Sequence, residues 1–312
     1  MDPIYERRQE LLRQRADLNA RLRLIPYDGT PEIKEQSGKK YLYIRRRVGS
    51  RLTSTYVDVY SDLLYEKLLR DRKEAKELRR ELRKLEKELA ELGYSDTPLP
   101  PRVLLNLEFA RANMKANIYD QAVLEGVATT FPQTEDIIEN GRISGVTAGD
   151  VQKILNLKHA WEFILDPDVL TFETGYAILC HIAKLVNEGF YAEGGRIRGV
   201  PVVIGGCDYL PPLPIETVVI ERLRDILSSG GEPVDIAIRL CLYCMKAQVF
   251  NDGNKRVAVI FACHYLISKG AGLLVIPEKE VPTFKKLLVA YYEGRDEEEI
   301  VSFLRERCYR QF

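Results

Sequence analysis

The chain has 312 residues, with 46 Lys and Arg against 46 Asp and Glu, so its formal net charge is zero. That length allows one large or two moderate domains with ample core burial, and neutrality excludes a global charge argument for nucleic acid, leaving only local patches. Hydrophobic residues make up 46%, no apolar run is long enough to cross a bilayer, and Met1-Asp2-Pro3 does not begin a signal peptide, so a cytoplasmic protein without membrane contact is expected.

In chain order, Tyr5 to Leu24 is charged, with Leu at 11, 18 and 22, and predicts an amphipathic helix. Pro26 to Pro31 is a turn cluster. KYLYIRRRVGSRLTSTYVDVY, residues 40–60, alternates bulky and polar residues around Gly49-Ser50 and predicts a β-hairpin. Asp62 to Leu92 predicts a long helix whose Leu78, Leu82, Leu85, Leu89 and Leu92 form a heptad, coiled-coil-like seam. One seam needs a partner: the N-terminal helix folded back antiparallel, or a second chain, which would make a homodimer. Lys39, Lys40, Arg45, Arg46, Arg47 and Arg51 make the hairpin basic. They suit either phosphate-backbone contact or a charged edge that resists strand pairing. The neighbouring helix adds as much acid as base, so the edge role is expected and nucleic acid is not an expected partner. Pro98, Pro100 and Pro101 close this module, giving expected domains of 1–97 and 98–312.

The second domain predicts helices over Leu104–Leu124, Thr147–Leu165, Thr171–Gly189, Thr217–Ser228, Asp235–Ala247, Gly253–Lys269, Val281–Tyr292 and Glu297–Tyr309. EGGRIRGVPVVIGGCDYLPP, residues 193–212, interrupts them and predicts a small β-hairpin or flap. Most of the six cysteines sit in apolar runs, and Cys241-Leu-Tyr-Cys244 lacks a second Cys pair, so free core thiols are expected. His159, His181 and His264 form no zinc-binding pattern.

In KAQVFNDGNKRVAVIFACHYL two apolar helices flank Asn251-Asp252-Gly253-Asn254. Gly253 permits positive φ, so successive N–H groups can form an anion nest before a helix N-terminus. Arg256 adds a planar forked donor for phosphate oxygens. Asp252 is the loop's one carboxylate, and beside phosphates it can hold Mg²⁺, which needs few protein ligands. An incidental Arg after an ordinary helix-to-helix turn explains the residue types equally well.

The run resembles the Fic/Doc (Fido) signature HxFx(D/E)GN(G/K)RxxR at Phe250, Asp252, Gly253, Asn254 and Arg256, with Lys255 and Ala258 in the Doc-type form. Residues 194–212 resemble that family's target-binding flap, and AVLEGVATT around Glu125 resembles its inhibitory helix, here 104–126. The resemblance implies a mainly α, Fic-fold helical bundle with a short β-hairpin flap, following the helix/β-hairpin/long-helix module. It also implies Mg²⁺ and ATP or another nucleotide, with Asp252 as metal ligand and Gly253, Asn254, Lys255 and Arg256 as phosphate binders. The flap would receive a protein target, and AMP or phosphate would pass to a target hydroxyl; Phe250 would anchor the loop and Glu125 would regulate the site.

Three positions depart from the pattern. Gln248 stands where the family has its histidine base, and an amide does not titrate. Val259 replaces the last signature Arg, and Gln121 the Ser or Thr of the inhibitory motif, so Glu125 would pair with Arg256 or remain structural. His264 is expected to pack in the core. The alternative function is a catalytically inactive nucleotide- or phosphate-binding protein acting as regulator or interaction scaffold.

Overall fold

The computed structural model describes residues 3–48, 51–95, 98–140, 145–295 and 297–312. The fold is mainly helical. The chain divides into two compact units, Met1–Ser95 with Glu139–Gly141, and Asp96–Ile138 with Arg142–Phe312.

In the first unit, α1 (Pro3–Leu24) leads into strands β1 (Thr30–Gln36), β2 (Lys39–Val48) and β3 (Arg51–Val59), then α2 (Asp62–Glu91). The two helices pack antiparallel: Arg7 near the start of α1 pairs with Glu88 near the end of α2 at 2.7 Å, and Asp28 beyond α1 pairs with Arg79. These exposed pairs fix register more than they stabilise. Stability comes from apolar burial of Leu11, Leu12, Ala16 and Ala20 on α1 and of Leu68, Ala75, Leu78, Leu82 and Leu89 on α2. The heptad seam is thus covered by the chain's own N-terminal helix. Ser61 caps α2, its hydroxyl accepting from Leu64 N at 3.3 Å.

The expected hairpin is two strands of a three-stranded antiparallel sheet in the order β1-β2-β3. Its turn at Gly49-Ser50 lies outside the described residues. Strand β1 carries no strand signal in the sequence: TPEIKEQ is polar and contains a proline, features an edge strand tolerates. Leu42, Ile44 and Val57 turn one face inward onto Leu68, and the alternation of strand side chains leaves the other face to solvent.

In the second unit the helices are α3 (Pro101–Leu124), α4 (Phe131–Asn140, whose last two residues are grouped with the first unit), α5 (Ala148–Ile164), α6 (Pro167–Leu170), α7 (Tyr176–Val186), α8 (Glu216–Ser228), α9 (Pro233–Ala247), α10 (Asn254–Ser268), α11 (Val281–Tyr292) and α12 (Glu297–Phe303). A π-helical turn over Leu304–Cys308 follows α12, and β4 (Leu273–Leu274) pairs antiparallel with β5 (Tyr309–Arg310). Helix α10 is apolar all round, as a central helix must be; every residue from Val257 to Ile267 is buried, with α9, α7, α3 and α5 against it. No helix among the described residues is long and apolar enough to cross a membrane.

The expected flap hairpin does not form. Residues 190–215 carry no strand, and a buried arginine holds them instead. Arg198 is 2% exposed. Its guanidinium donates to the carbonyls of Gln248 at 2.5 Å, Val200 at 2.8 Å, Pro211 at 3.2 Å and Pro212 at 2.6 Å, and its N–H donates to Val249 O at 3.0 Å. Four carbonyls around one guanidinium replace the ladder that glycines and prolines could not make. Desolvation lowers the Arg198 pKa, consistent with a cation that has carbonyl dipoles and no carboxylate as partners.

Candidate functional site

The site is built where α9 stops and α10 starts. Gln248 ends α9 in the left-handed region, with φ 46° and ψ 57°, a conformation uncommon for a residue with a Cβ. Both ends of its amide are engaged: Nε2 donates to Met245 O at 2.6 Å, and Oε1 accepts from Asn254 Nδ2 at 3.1 Å. Asn254 then closes the loop, donating to Phe250 O at 2.7 Å and accepting from Phe250 N at 2.9 Å. Phe250 is buried, the anchoring role expected of it.

Gly253 precedes α10 with φ 73° and no capping side chain. A Cβ there would stand 3.0 Å from both Asn187 Oδ1 and Val186 Cγ1, so the position is closed to larger residues. Asn187 supports the loop from below, donating to Asp252 O at 3.1 Å and Gly194 O at 3.2 Å. The first N–H groups of a helix have no intrahelical partner. Without a cap, those at the head of α10 are available to an anion.

Glu125, Gln248, Asp252, Gly253, Asn254 and Lys255 all line one cavity of about 470 Å³. Val202, Val203, Ile204 and Gly205 of the 194–212 loop also line it, as do Lys285, Leu288, Val289 and Tyr292. Lys285 and Tyr292 had no sequence signal; their helical spacing marks only a packed helix. Arg256, the remaining expected phosphate binder, lies behind the wall, 2% exposed. Its Nη2 bonds Asp252 Oδ2 at 3.1 Å, and its Nε faces Glu125 Oε2 at 3.5 Å without a hydrogen bond. Arg256 Nε and Nη1 and Glu125 Oε1 are buried without a hydrogen-bond partner. Lys255 Nζ is 3.8 Å from Glu125 Oε1. Glu125 reaches this point because Gly126, at φ 78°, ends α3 in a Schellman turn, with Val127 N bonded to Ala122 O and Gly126 N to Val123 O.

The other departures have structural explanations. Gln121 Oε1 accepts from the indole N–H of buried Trp161 at 3.0 Å, fixing α3 on α5. Val259 is fully buried on the central helix. His264 is buried as expected; Nε2 faces Val169 O at 3.0 Å and must carry the proton, so Nδ1, at 3.0 Å, accepts from Thr174 Oγ1. Burial pushes its pKa down to about 4. Burial likewise raises the Cys241 thiol well above its usual range and Cys244 to about 12, so the CxxC pair is inert core.

Asp252 fits a metal carried in on phosphate. Its side chain is 49% exposed at the cavity, and no cluster of three or more His, Cys, Asp or Glu suited to a metal occurs among the described residues. Mg²⁺ bound there would draw its remaining ligands from water and phosphate oxygens, as Mg²⁺ commonly does.

Residues 173–266 match the model of the Fic/DOC family, and residues 1–66 match a domain of unknown function, DUF6788. No curated protein matches the chain. Among solved structures it is similar to a Fic domain containing signaling protein from Bacteroides thetaiotaomicron, at 18% identity over 67% of this chain and 85% of that one, with a TM-score of 0.54. A Fic family protein from Desulfovibrio desulfuricans matches at 15% identity over 68% and 75%, TM-score 0.52, and a portion of Fic-1 from C. elegans at 18% over 78% and 74%, TM-score 0.52. At these identities what is shared is the fold.

Proposed function

From the match of residues 173–266 to the Fic/DOC family and the geometry of the 251–256 loop, we propose that the cavity binds the phosphates of a Mg²⁺-nucleotide such as ATP, without an efficient transfer step. The observation that carries this reading is Arg256: a buried guanidinium with two unengaged donors, directly under an uncapped helix N-terminus. Unmade hydrogen bonds on a buried cation are costly, and an anion on the loop would lower that cost through the field it supplies. Lys255 and Lys285 at the cavity add positive charge for the outer phosphates.

Transfer to a hydroxyl forms a new P–O bond, breaks the bond to the leaving phosphate, and requires something to accept the hydroxyl proton. Gln248 cannot accept it, and its amide is already committed to the helix end and to Asn254. Tyr292 also lines the cavity, but burial raises its pKa. A bound Mg²⁺ would neutralise phosphate charge; Asp252 would hold it, and the apolar residues 202–204 would exclude water on one side. The transferase reading shares the exposed Asp252 carboxylate with the binding reading and differs from it in needing an acceptor for the hydroxyl proton.

Calorimetry with Mg²⁺-ATP is expected to show binding that Arg256→Ala weakens about tenfold, roughly 1.4 kcal/mol, through loss of the positive charge behind the loop. Absence of binding by the unaltered protein would refute the proposal. Incubation with ATP labelled at the α or γ phosphate, plus a cell lysate, separates the two readings. Appearance of label on protein favours transfer and identifies the group moved.

A further inference from the structure

We propose that the solvent face of the β1-β2-β3 sheet is a binding surface for single-stranded RNA. The inference is independent of the nucleotide site. Leu42 and Ile44 face the core, so Tyr41, Tyr43, Arg45 and Arg47 of β2 share the outer face. Across the ladder Tyr43 pairs with Tyr56, Arg45 with Ser54, and Lys34 with Tyr41. The three tyrosines form one cluster, with ring centroids 6.3 Å apart for Tyr41 and Tyr56 and 5.6 Å for Tyr43 and Tyr56. Tyr56 is 49% exposed. Lys34 Nζ sits 4.3 Å from the Tyr43 ring centroid. Arg45 and Arg47 are exposed and have no ion pair among the described residues.

Charge complementarity identifies the occupant. Residues 30–59 contain seven Lys or Arg (34, 39, 40, 45, 46, 47 and 51) against three acids (32, 35 and 58), a net +4 within a chain whose total is zero. A basic edge alone would only resist strand pairing. Lys40 and Arg46 take the inward parity of β2, but Lys34, Lys39, Arg45 and Arg47 share the face of the tyrosines with Glu32, the combination that single strands use: phosphates on cations and bases on rings. Duplexes hide their bases from such rings; an acidic lipid surface, which also takes tyrosines beside cations, is an outcome of the test below. On the same face Lys34 Nζ donates to Ser54 Oγ at 2.9 Å and Ser54 Oγ to Glu32 Oε2 at 3.2 Å, which leaves Glu32 Oε1 as the acceptor for a ribose 2′-hydroxyl, a contact that selects RNA. The sequence predicts a charged edge that resists strand pairing; the sheet register adds three tyrosines to the face that carries the charge.

The test is fluorescence anisotropy of the full chain with labelled single-stranded RNA of mixed sequence, the matching DNA strand, duplex RNA, and competing phosphatidylserine/phosphatidylcholine vesicles. Single-stranded RNA should bind in low salt and outcompete the others. The exposed double variant Arg45→Glu/Arg47→Glu should bind at least tenfold more weakly, with a salt slope reduced by about 1.4, the value for two phosphate contacts on a single strand. Tyr56→Ala should lose about tenfold, while Tyr56→Phe, which keeps the ring, should bind normally. Circular dichroism checks that the variants stay folded. The proposal is overturned by no RNA binding in low salt, by unchanged binding of the arginine variant, or by Tyr56→Phe failing as badly as Tyr56→Ala. Equal or tighter binding of DNA, duplex or vesicles overturns it as well.

Discussion

Gln248 carries a fold role at the position where the family resemblance places a histidine base. Its amide donates to Met245 O and accepts from Asn254, closing the end of α9. Replacing it with His should supply a base with an unperturbed pKa of ~6.5 and raise any transfer by about 10²-fold, provided hydroxyl and phosphate are already placed. Single-turnover assays with labelled ATP read this. If the unaltered protein already transfers, and Gln248→Ala loses that activity, the amide orients the acceptor and the binding-only reading falls. His264 gives a second residue-scale prediction. Its folded pKa of about 4 lies below the unfolded value, so the unfolded chain binds the extra proton first as pH falls. Its contribution is therefore complete above about pH 6.5 and is lost between about pH 6.5 and 4, by about 3 kcal/mol in total. Urea melts across that range should show a shallower pH dependence for His264→Gln, whose amide can serve the same two partners without titrating.

Among the elements, the irregular segment over 190–215 matters as much to the cavity as any helix. Arg198 is its clasp, and two of its bonds run to Gln248 O and Val249 O beside the cavity. Arg198→Met keeps apolar bulk but leaves the carbonyls of Gln248, Val200, Pro211 and Pro212 without their shared donor. A loss of about 3 kcal/mol or more is expected, since each unsatisfied buried acceptor costs roughly 1–3 kcal/mol. Limited proteolysis should then cut first within residues 199–212. An unchanged cleavage pattern would show that the loop is held by its apolar contacts alone. The α9–α10 connection is the other decisive element. Gly253→Ala imposes φ 73° on a residue with a Cβ, against Asn187 and Val186, and should cost more than about 1 kcal/mol. It should also weaken Mg²⁺-ATP binding, because the nest would shift. Unaltered affinity in that variant would mean the loop backbone does not contact phosphate.

Over the whole molecule, the cavity-lining residues from Glu125 to Tyr292 all belong to the second compact unit. We therefore expect residues 98–312 expressed alone to unfold cooperatively and to bind Mg²⁺-ATP within about twofold of the full chain, a difference well under 1 kcal/mol. Loss of binding would assign the first unit a part in the site. The seam on α2 is already covered by α1 of the same chain, so its apolar burial no longer drives pairing between chains. Sedimentation of the intact protein is expected at the mass of one 35.8 kDa chain; a two-chain species would require α1 to be exchanged between copies.

Local chemistry was enough to place most of the helices and the tight loop at Asn251–Asn254; it did not mark α4 or α6, and it left open whether α1 or a second chain would cover the α2 seam. Periodicity, proline and glycine act within a few residues, and the heptad on α2 demands an apolar partner wherever it comes from. The bounds of α11, Val281–Tyr292, were legible to the residue for that reason. Other features depended on groups distant in sequence. Strand β1 forms because β2 offers it a ladder, not because TPEIKEQ favours extension. The expected hairpin at 197–204 gave way to a clasp because Arg198 found carbonyls 13, 14 and 50 residues away. Glu125 could be named from its motif, but its position between Lys255 and Arg256 needed two helix ends to meet. The tyrosines could be counted from the sequence, yet only the sheet register brought Tyr56 against Tyr41 and Tyr43. That the Gln248 amide ties Met245 O to Asn254 was likewise visible only in the tertiary structure. A side chain's role depends on which partners reach its hydrogen-bonding atoms, and these were set by the packing of α9 against α10.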